Sequence, residues 1–522
     1  MLFLASIGAP FIPHADQLRP FLAELWLIAA IVGVLLAPFF TRRANLVCGM
    51  VALIGVLLAL LSLLIVGANP DVIGSHFRGL LVFDRVAFLW QVILLLFVAG
   101  IIVMGFATTI RTLHESDGPE FYTLLLGATL GMCLMAETSN LLMIFMAVEL
   151  ASLPSYVLAG FRKTHRLGAE ASLKYVLFGA VTSSIVVYGL SFLYGLYGTL
   201  QLHDLAVAMT ASTGGSALLV VAVFGLIVGI GFKIAAVPFH FWCPDVFEGA
   251  SIDVTAFLSV ASKGAGLILL LRVLETIAAA SNFSATGVLT TLAAVVGVIG
   301  AISATVGNTA AFAQTNIKRL LAYSSIAHAG YILCAVSLVV KSQAADAAFV
   351  PADAAAQAVL LYLAVYAFMN LGAFMVTALV GETLKDFRGL GRRAPLLAAC
   401  MFCCLVSLIG LPPFAGFAAK VQVLWALFQN GGWWWALIIV IAVNTIASAF
   451  YYFRIVRAMY LEPGEASEMA DNPIGAAISL ACAAALVLLF FAFGPLSRLT
   501  SDYGRLYLPA PSISSPTVTS AR

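Results

Sequence analysis

The 522-residue sequence predicts an all-α, polytopic membrane protein of about fourteen transmembrane helices, and three observations carry that expectation. Hydrophobic residues make up 62% of the chain and charged residues only 10%, whereas a soluble domain carries about 25% charge. Too little polar surface is present to clothe a soluble protein. Apolar runs of about twenty residues, the length that crosses a hydrocarbon core, recur along the chain. The basic residues between those runs fall mostly on alternate connections, as the positive-inside rule requires.

Taken in order, the runs lie at 20–40, 45–67, 84–108, 121–138, 139–160, 169–198 and 216–242, then 253–276, 286–307, 320–340, 354–380, 395–429, 434–459 and 474–494. The opening MLFLASIGAPFIPHADQLRP has no basic segment before its apolar stretch, so a cleaved signal peptide is not expected. No stretch has the length or polarity of a separate soluble domain. The tail from Pro509 is rich in Pro, Ser and Thr, a composition that favours disorder.

Connections after odd-numbered runs hold Arg42, Arg43, Arg111, Arg162, Lys163, Arg166, Lys318, Arg319, Lys385, Arg388, Arg392 and Arg393, with Arg454 and Arg457 at the end of run 13. Connections after even-numbered runs hold only Arg78, Arg85 and Lys341, with Arg272 at a run end. This bias of 14 to 4 supports the number of runs and places both termini on the outer side of the membrane. Four further basic residues belong to the termini, and four remain inside runs: Lys174, Lys233, Lys263 and Lys420. All four are lysines, which release a proton when buried far more readily than arginine does.

Two runs are broken by proline, at Pro238 and at Pro412-Pro413, and Pro238 precedes Pro413 by 175 residues. The same offset carries run 5 onto run 10 and, roughly, run 6 onto 11 and run 8 onto 13. Runs 4–8 (121–276) and 9–13 (286–460) are therefore expected to be two five-helix repeats. Five is odd, so the second must be inverted, and inverted repeats with a broken helix in each half mark transporters. The remaining organisation is an N-terminal three-helix segment (1–120), a C-terminal helix (474–494) and a polar, disordered tail (495–522).

Glu149 lies in the middle of run 5. A charge at the bilayer centre costs about 2.5–3.5 kcal/mol, so several such residues imply pairing or a task. Burial disfavours the charged form of an acid and of a base alike, and placing the two together restores both charges. Lys233 sits just before the first break, Lys263 ten residues into run 8, and Lys420 just past the second break. Lys174 is nearer a helix end, within i,i+4 reach of Glu170. His240, His328, Tyr323 and Ser325, with Ser324, are possible relay members that could pass protons or hold water. Glu24, Asp84, Glu137, Asp245 and Asp253 lie at run ends, where solvated or capping roles are expected. Cys400, Cys403 and Cys404 read as apolar packing residues, because no second ligand pair stands at zinc spacing. Net charge is +2 without a clustered basic face, so no nucleic-acid partner is expected.

Longer motifs carry a resemblance. FMAVELASLPSYVLAG (145–160), EASLKYVLFGA (170–180), GFKIAAVPFHFWCPDVFEGAS (231–251), the ASK ending at Lys263, IKRLLAYSSIAHAGY (317–331) and GLPPFAGFAAK (410–420) resemble the proton-pumping, antiporter-like membrane subunits of respiratory complex I, from about Pro20 to Phe493. The PDVFEGA element and a lysine at 420, where the M type has glutamate, are most similar to the N type. The resemblance implies a proton path along the membrane midplane. In it, Glu149 and Lys233 form a switching ion pair on the input side, Lys263 is the central relay and Lys420 the exit, with Lys174 a further lysine of the N type. It implies no cofactor in this chain: FMN, iron–sulfur clusters and quinone belong to partner subunits. M-type and K-type neighbours and lipid are the expected contacts. The Cys400/Cys403/Cys404 cluster is not a feature of that family. A subunit of a cation/proton antiporter or of a membrane-bound hydrogenase is the alternative within the same superfamily.

Overall fold

A computed structural model describes residues 18–504 except 42, 68, 109–116, 163–164, 212–216, 280–286, 341–353 and 465–471. The expectations for the first seventeen residues and for 505–522, and the basic residues Arg42, Arg111, Lys163 and Lys341, lie outside the described residues. The helices follow the apolar runs closely. They are α1 (Leu22–Leu36), α2 (Ala44–Gly67), α3 (Arg85–Ala107), α4 (Gly118–Glu137), α5 (Leu141–Ala159) and α6 (Arg166–Tyr197). The first broken run comprises α7 (Ala217–Ile234) and α8 (Trp242–Gly249), followed by α9 (Ile252–Ala279), α10 (Gly287–Ala311), α11 (Ile317–Val336) and α12 (Ala354–Val380). The second broken run is α13 (Pro395–Ile409) and α14 (Ala415–Asn430), and α15 (Trp434–Leu461) and α16 (Pro473–Phe491) complete the set. Among the described residues, thirteen helices are long and apolar enough to cross a membrane, with α13 a shorter apolar helix.

Side chains start many of these helices. Asp84 accepts from Ala87 N, Asn140 from Leu142 N, Asn316 from Arg319 N and Asn472 from Gly475 N, each satisfying a first-turn donor that has no partner within its own helix. Burial then sorts the helices. The span of α9 is buried along its length and α11 nearly so, whereas α6, α15 and α16 expose most of their apolar surface. α9 and α11 therefore form the centre of the bundle.

The two breaks repeat one another. Helix α7 ends at Ile234 and α13 at Ile409, and the next residue in each case takes a left-handed φ, 59° at Ala235 and 82° at Gly410. The proline three residues further on follows a cis peptide in both. Groups freed by the first break find partners within the protein: Val237 N donates to Ser303 Oγ at 2.9 Å, and Trp242 Nε1 donates to Phe232 O at 3.0 Å. Lipid could offer neither partner, so a break is tolerated only where protein supplies them.

Three elements depart from the sequence expectation. A small antiparallel hairpin, Gly74–His76 with Leu81–Phe83, fills the connection between α2 and α3 and meets Thr138 at the end of α4. A short helix, Leu202–Ala211, packs on α9. The polar tail expected from 495 is not disordered at its start: Phe493–Asp502 is an amphipathic helix packed on α12.

Small residues set the closest helix pair, α10 with α11. A Cβ on Gly330 would lie 2.5 Å from Ala304 N and from Gly300 O, both backbone atoms that cannot swing aside. Gly330→Val is therefore expected to cost about 1–3 kcal/mol of stability and to lower the unfolding midpoint of the detergent-solubilised protein. An unchanged midpoint would show that the two backbones can separate freely.

Candidate functional site

Four helix ends and one continuous helix position the buried lysines. Lys233 is the penultimate residue of α7, where the negative end of the half-helix favours a cation. Its Nζ donates to Ser152 Oγ on α5 at 3.0 Å, and the residue is 1% exposed. Glu149 lies one turn earlier on α5 and accepts a short hydrogen bond from Ser183 on α6. Among the described residues no ion pair joins Glu149 to Lys233. The expected switching pair is open in this structure, with Ser152 standing beside both partners.

Lys263 follows directly on a π-helical turn, Leu258–Ser262, inside α9. Such turns offset the register of a helix and recur at functional sites. Its buried Nζ donates to Ser325 Oγ at 2.6 Å, lies 3.4 Å from Cys243 Sγ, and stands 5.5 Å from the centre of the Phe247 ring. Gly266, nearly one turn further along α9, lies against the end of α7; a Cβ there would be 3.0 Å from Ile234 Cγ1 and 3.5 Å from Lys233 Cβ. The two lysines are thus packed through adjoining turns of α7 and α9.

Lys420 sits in α14 and reaches back across the second break. Its Nζ donates to Leu408 O at 3.1 Å and to Ile409 O at 2.8 Å, the last carbonyls of α13, and lies 4.8 Å from the centre of the Tyr331 ring. Charge, helix end and aromatic face act together here.

Helix α11 links the last two lysines. Ser325, His328 and Tyr331 succeed one another at three-residue steps, so they line one face. Ser325 meets Lys263, Tyr331 lies under Lys420, and between them His328 shares a 2.8 Å hydrogen bond between its Nδ1 and Tyr362 Oη. A wider polar network surrounds this face. Asn308 Nδ2 donates to Tyr331 Oη at 2.8 Å and to Asn444 Oδ1 at 3.1 Å; Tyr451 Oη donates to Asn308 Oδ1 at 2.9 Å; Ser324 and Tyr452 share a short hydrogen bond. The sequence reading did not single out Asn308, Asn444, Tyr331, Tyr362, Tyr451 or Tyr452. Their only signal was a set of polar residues scattered through apolar runs.

Other expected residues fall elsewhere. Lys174 is not buried: its side chain is 38% exposed and pairs with Glu170 at 2.7 Å and Asp245 at 2.6 Å. Asp245 also takes Arg319 at 2.8 Å, making this a surface charge cluster at the end of α6. Tyr323 is half-buried on α11, away from the face that carries Ser325 and His328. His240 is buried within the first break, its ring 4.5 Å from that of Phe241. Glu24, Asp84, Glu137 and Asp253, expected at run ends in solvated or capping roles, are all buried, and Asp84 caps α3. Among the described residues no group of three or more His, Cys, Asp or Glu could hold a metal ion.

Comparison with known proteins comes to the same place. Residues 138–445 match the family described as NADH:quinone oxidoreductase/Mrp antiporter, transmembrane. The chain is 39% identical over 477 residues to NADH-quinone oxidoreductase subunit N of Anaeromyxobacter sp., covering 86% of this chain and 88% of that one. A chain of respiratory complex I from Thermus thermophilus, solved with bound aureothin, superposes with a TM-score of 0.74 at 32% identity over 92% of this chain and 99% of its own. A chain of the Mrp complex from Dietzia sp. shares the fold alone, with a TM-score of 0.76 at 20% identity over 94% and 97% of the two chains.

Among the described residues, Lys420 is the side-chain donor to the carbonyls of Leu408 and Ile409. Lys420→Met leaves these buried acceptors without it, which costs about 1–3 kcal/mol. The expected result is a lower unfolding midpoint in detergent. A midpoint equal to that of the parent protein would mean that water satisfies the carbonyls.

Proposed function

The chain belongs to the subunit N family of NADH-quinone oxidoreductases, and we propose that it moves protons across the membrane along the row Glu149, Lys233, Lys263, His328 and Lys420. The observation that carries this reading is the continuity of the row. Each buried lysine is held by neutral groups on the next helix, and α11 spans the distance between the last two. Ser152, Ser325 and the carbonyls of Leu408 and Ile409 supply contacts that survive loss of the lysine's charge. His240 and the Asn308–Tyr331–Tyr451 network offer further polar positions along the way. Two inverted five-helix repeats, 121–276 and 286–460, support the path, each placing a broken helix at it; the coincidence of Ile234 with Ile409 and of Ala235 with Gly410 across 175 residues supports that symmetry.

Charge moves along such a row because a lysine in a dry site sits close to the balance between its two protonation states. An arriving proton on one member raises the cost of charge on the next. Moving one proton outward against about 100 mV requires about 2.3 kcal/mol, and the proposal places the redox centres that supply it outside this chain. NADH oxidation by quinone, carried out by FMN and iron–sulfur clusters in partner subunits, is the proposed source. M-type and K-type subunits are the proposed neighbours, and the basic connections face the cytoplasm of a bacterial cell. Lys174, exposed and ion-paired, contributes to the charged surface at that side rather than to the row itself. Greater identity to subunit N than to the Mrp chain favours this reading over a cation/proton antiporter.

Lys233→Ala in the assembled, reconstituted complex is expected to lower proton pumping at least about tenfold, the equivalent of about 1.4 kcal/mol on the limiting barrier, and to slow NADH–quinone turnover through coupling. Lys233→Arg should fail in the same way, since arginine keeps the charge but does not release its proton. Pumping retained in the arginine variant would assign Lys233 a fixed electrostatic role and exclude it from the relay.

A further inference from the structure

A second set of buried ionisable groups lies apart from the lysine row, at the end of the bundle opposite the basic connections. Glu24 on α1, Gln91 on α3 and Glu137 on α4 converge there, with exposures of 0%, 0% and 3%. Gln91 Nε2 donates to Glu24 Oε1 and to Glu137 Oε1, each at 2.8 Å. One amide group thereby supplies both carboxyls. Glu24 Oε2 and Gln91 Oε1 are buried and have no hydrogen-bond partner.

Charge does not balance at this place with every carboxyl ionised. The nearest cation is Arg272 on α9, and it is already committed: Nη2 pairs with Asp84 at 2.9 Å and Nε donates to Ala136 O at 2.7 Å. Cys133 lies one turn from Glu137 on α4 and adds no positive charge. Among the described residues neither Glu24 nor Glu137 has an ion pair. Two carboxylates facing one shared donor in a dry interior repel each other, and an ionised carboxylate buried without compensation is strongly disfavoured. Compensation must be a metal cation or a proton. No group of three or more His, Cys, Asp or Glu among the described residues could hold a metal ion.

We propose that Glu24 and Glu137, bridged by Gln91, form a proton-holding site separate from the lysine row, in which the two carboxyls keep one exchangeable proton between them. A protonated carboxyl is a donor as well as an acceptor, and Gln91 Oε1 is the acceptor left open for it or for a water that carries the proton. The site exchanges with water at the same end of the bundle. A polar cavity of about 410 Å³, lined by Pro70, Asp84, Arg85, Phe88 and Asp502 among others, reaches Asp84, and Asp84 holds the Arg272 that stands beside Glu137. Trp90, next to Gln91, separates the site from the row: its ring fills the space at Gly264, beside Lys263, where a Cβ would lie 2.2 Å from the indole. The proposal concerns the charge state of this pair and stands whether or not the lysine row conducts.

Infrared spectroscopy of the purified complex tests it, read at the carbonyl stretch of protonated carboxylic acids and identified by its shift in D₂O. The parent protein is expected to show, at neutral pH, a band that disappears in the double variant Glu24→Gln/Glu137→Gln. The band is also expected to disappear in Glu24→Gln alone, because the shared proton is held against the like charge that this variant removes. Gln matches the shape of a protonated Glu, so the single variant should assemble normally and decides the matter if the double variant does not. A protonated-acid spectrum identical in the parent and in both variants would overturn the proposal. So would loss of thermal stability in the parent on removal of sodium, since a cation and not a proton would then balance the charges.

Discussion

The structure depends on two places where a transmembrane helix is interrupted and its backbone has to be satisfied by protein. Proline removes a donor and clashes with the preceding turn, and lipid offers no replacement. At the first break Ser303 and Trp242 supply the missing partners; at the second, the ammonium of Lys420 does. The interruptions also create helix ends at the centre of the bundle, and an ammonium group is favoured at such a C-terminal end. Position of the break and position of the charge are thus one constraint. Without interrupted helices there would be no helix end at this depth to favour Lys233 and to bind Lys420.

Around these breaks, the central helices are chosen by what they leave out. Gly300, Gly307 and Gly330 bring α10 and α11 into backbone contact. That contact fixes the rotation of α11, and the rotation decides which residues face Lys263 and Lys420. Ser325, His328 and Tyr331 fall on the useful face, while Tyr323, two residues from Ser325, does not. The π-helical turn before Lys263 makes a comparable adjustment on α9. Both devices set orientation through backbone geometry, and the polar side chains act only once that geometry is in place.

Most of the fold was legible because a span needs a long apolar run and a polar loop, and both are written residue by residue. The breaks were legible because proline has a fixed conformational meaning. Lys233, Lys263 and Lys420 stood out because burying a charge is costly. Lys174 pairs with Glu170 as its spacing suggested, but its exposure was not legible: hydropathy averages over a window and cannot show that a residue two turns into α6 faces outward beside Asp245, which is 71 positions away. The asparagine and tyrosine network was not legible, since a hydroxyl or amide within an apolar run carries little signal until helix rotation is known. Glu24, Asp84 and Glu137 read as solvated or capping helix ends; Asp84 does cap α3, but the burial of all three was not legible. The hairpin at 74–83 and the amphipathic helix Phe493–Asp502, neither of which has a strong pattern, lie at the end of the bundle where these residues are buried.

The molecule holds two kinds of buried cation, and the difference between them bears on which can act. Arg272 with Asp84 and Lys318 with Glu382 are each closed by a carboxylate, at 2.9 and 2.8 Å. Removing the charge from Arg272 would strand Asp84 in a dry site, a cost of several kcal/mol, so that pair resists a change of protonation; Glu382 is open to solvent, and its pairing favours the charged form of Lys318 more weakly. Lys233, Lys263 and Lys420 are held instead by hydroxyls, a thiol, carbonyls and aromatic faces. These groups stabilise an ammonium yet leave no stranded charge when it becomes an amine. A serine hydroxyl can also reverse its role and donate to the amine. Neutral ligation therefore narrows the free-energy gap between the two forms, and the open contact between Glu149 and Lys233 leaves the only carboxylate of the row outside ion-pair reach. In the proposed path, the approach of Glu149 to Lys233 is the change to use: closing it favours the charged lysine, and opening it favours release of the proton.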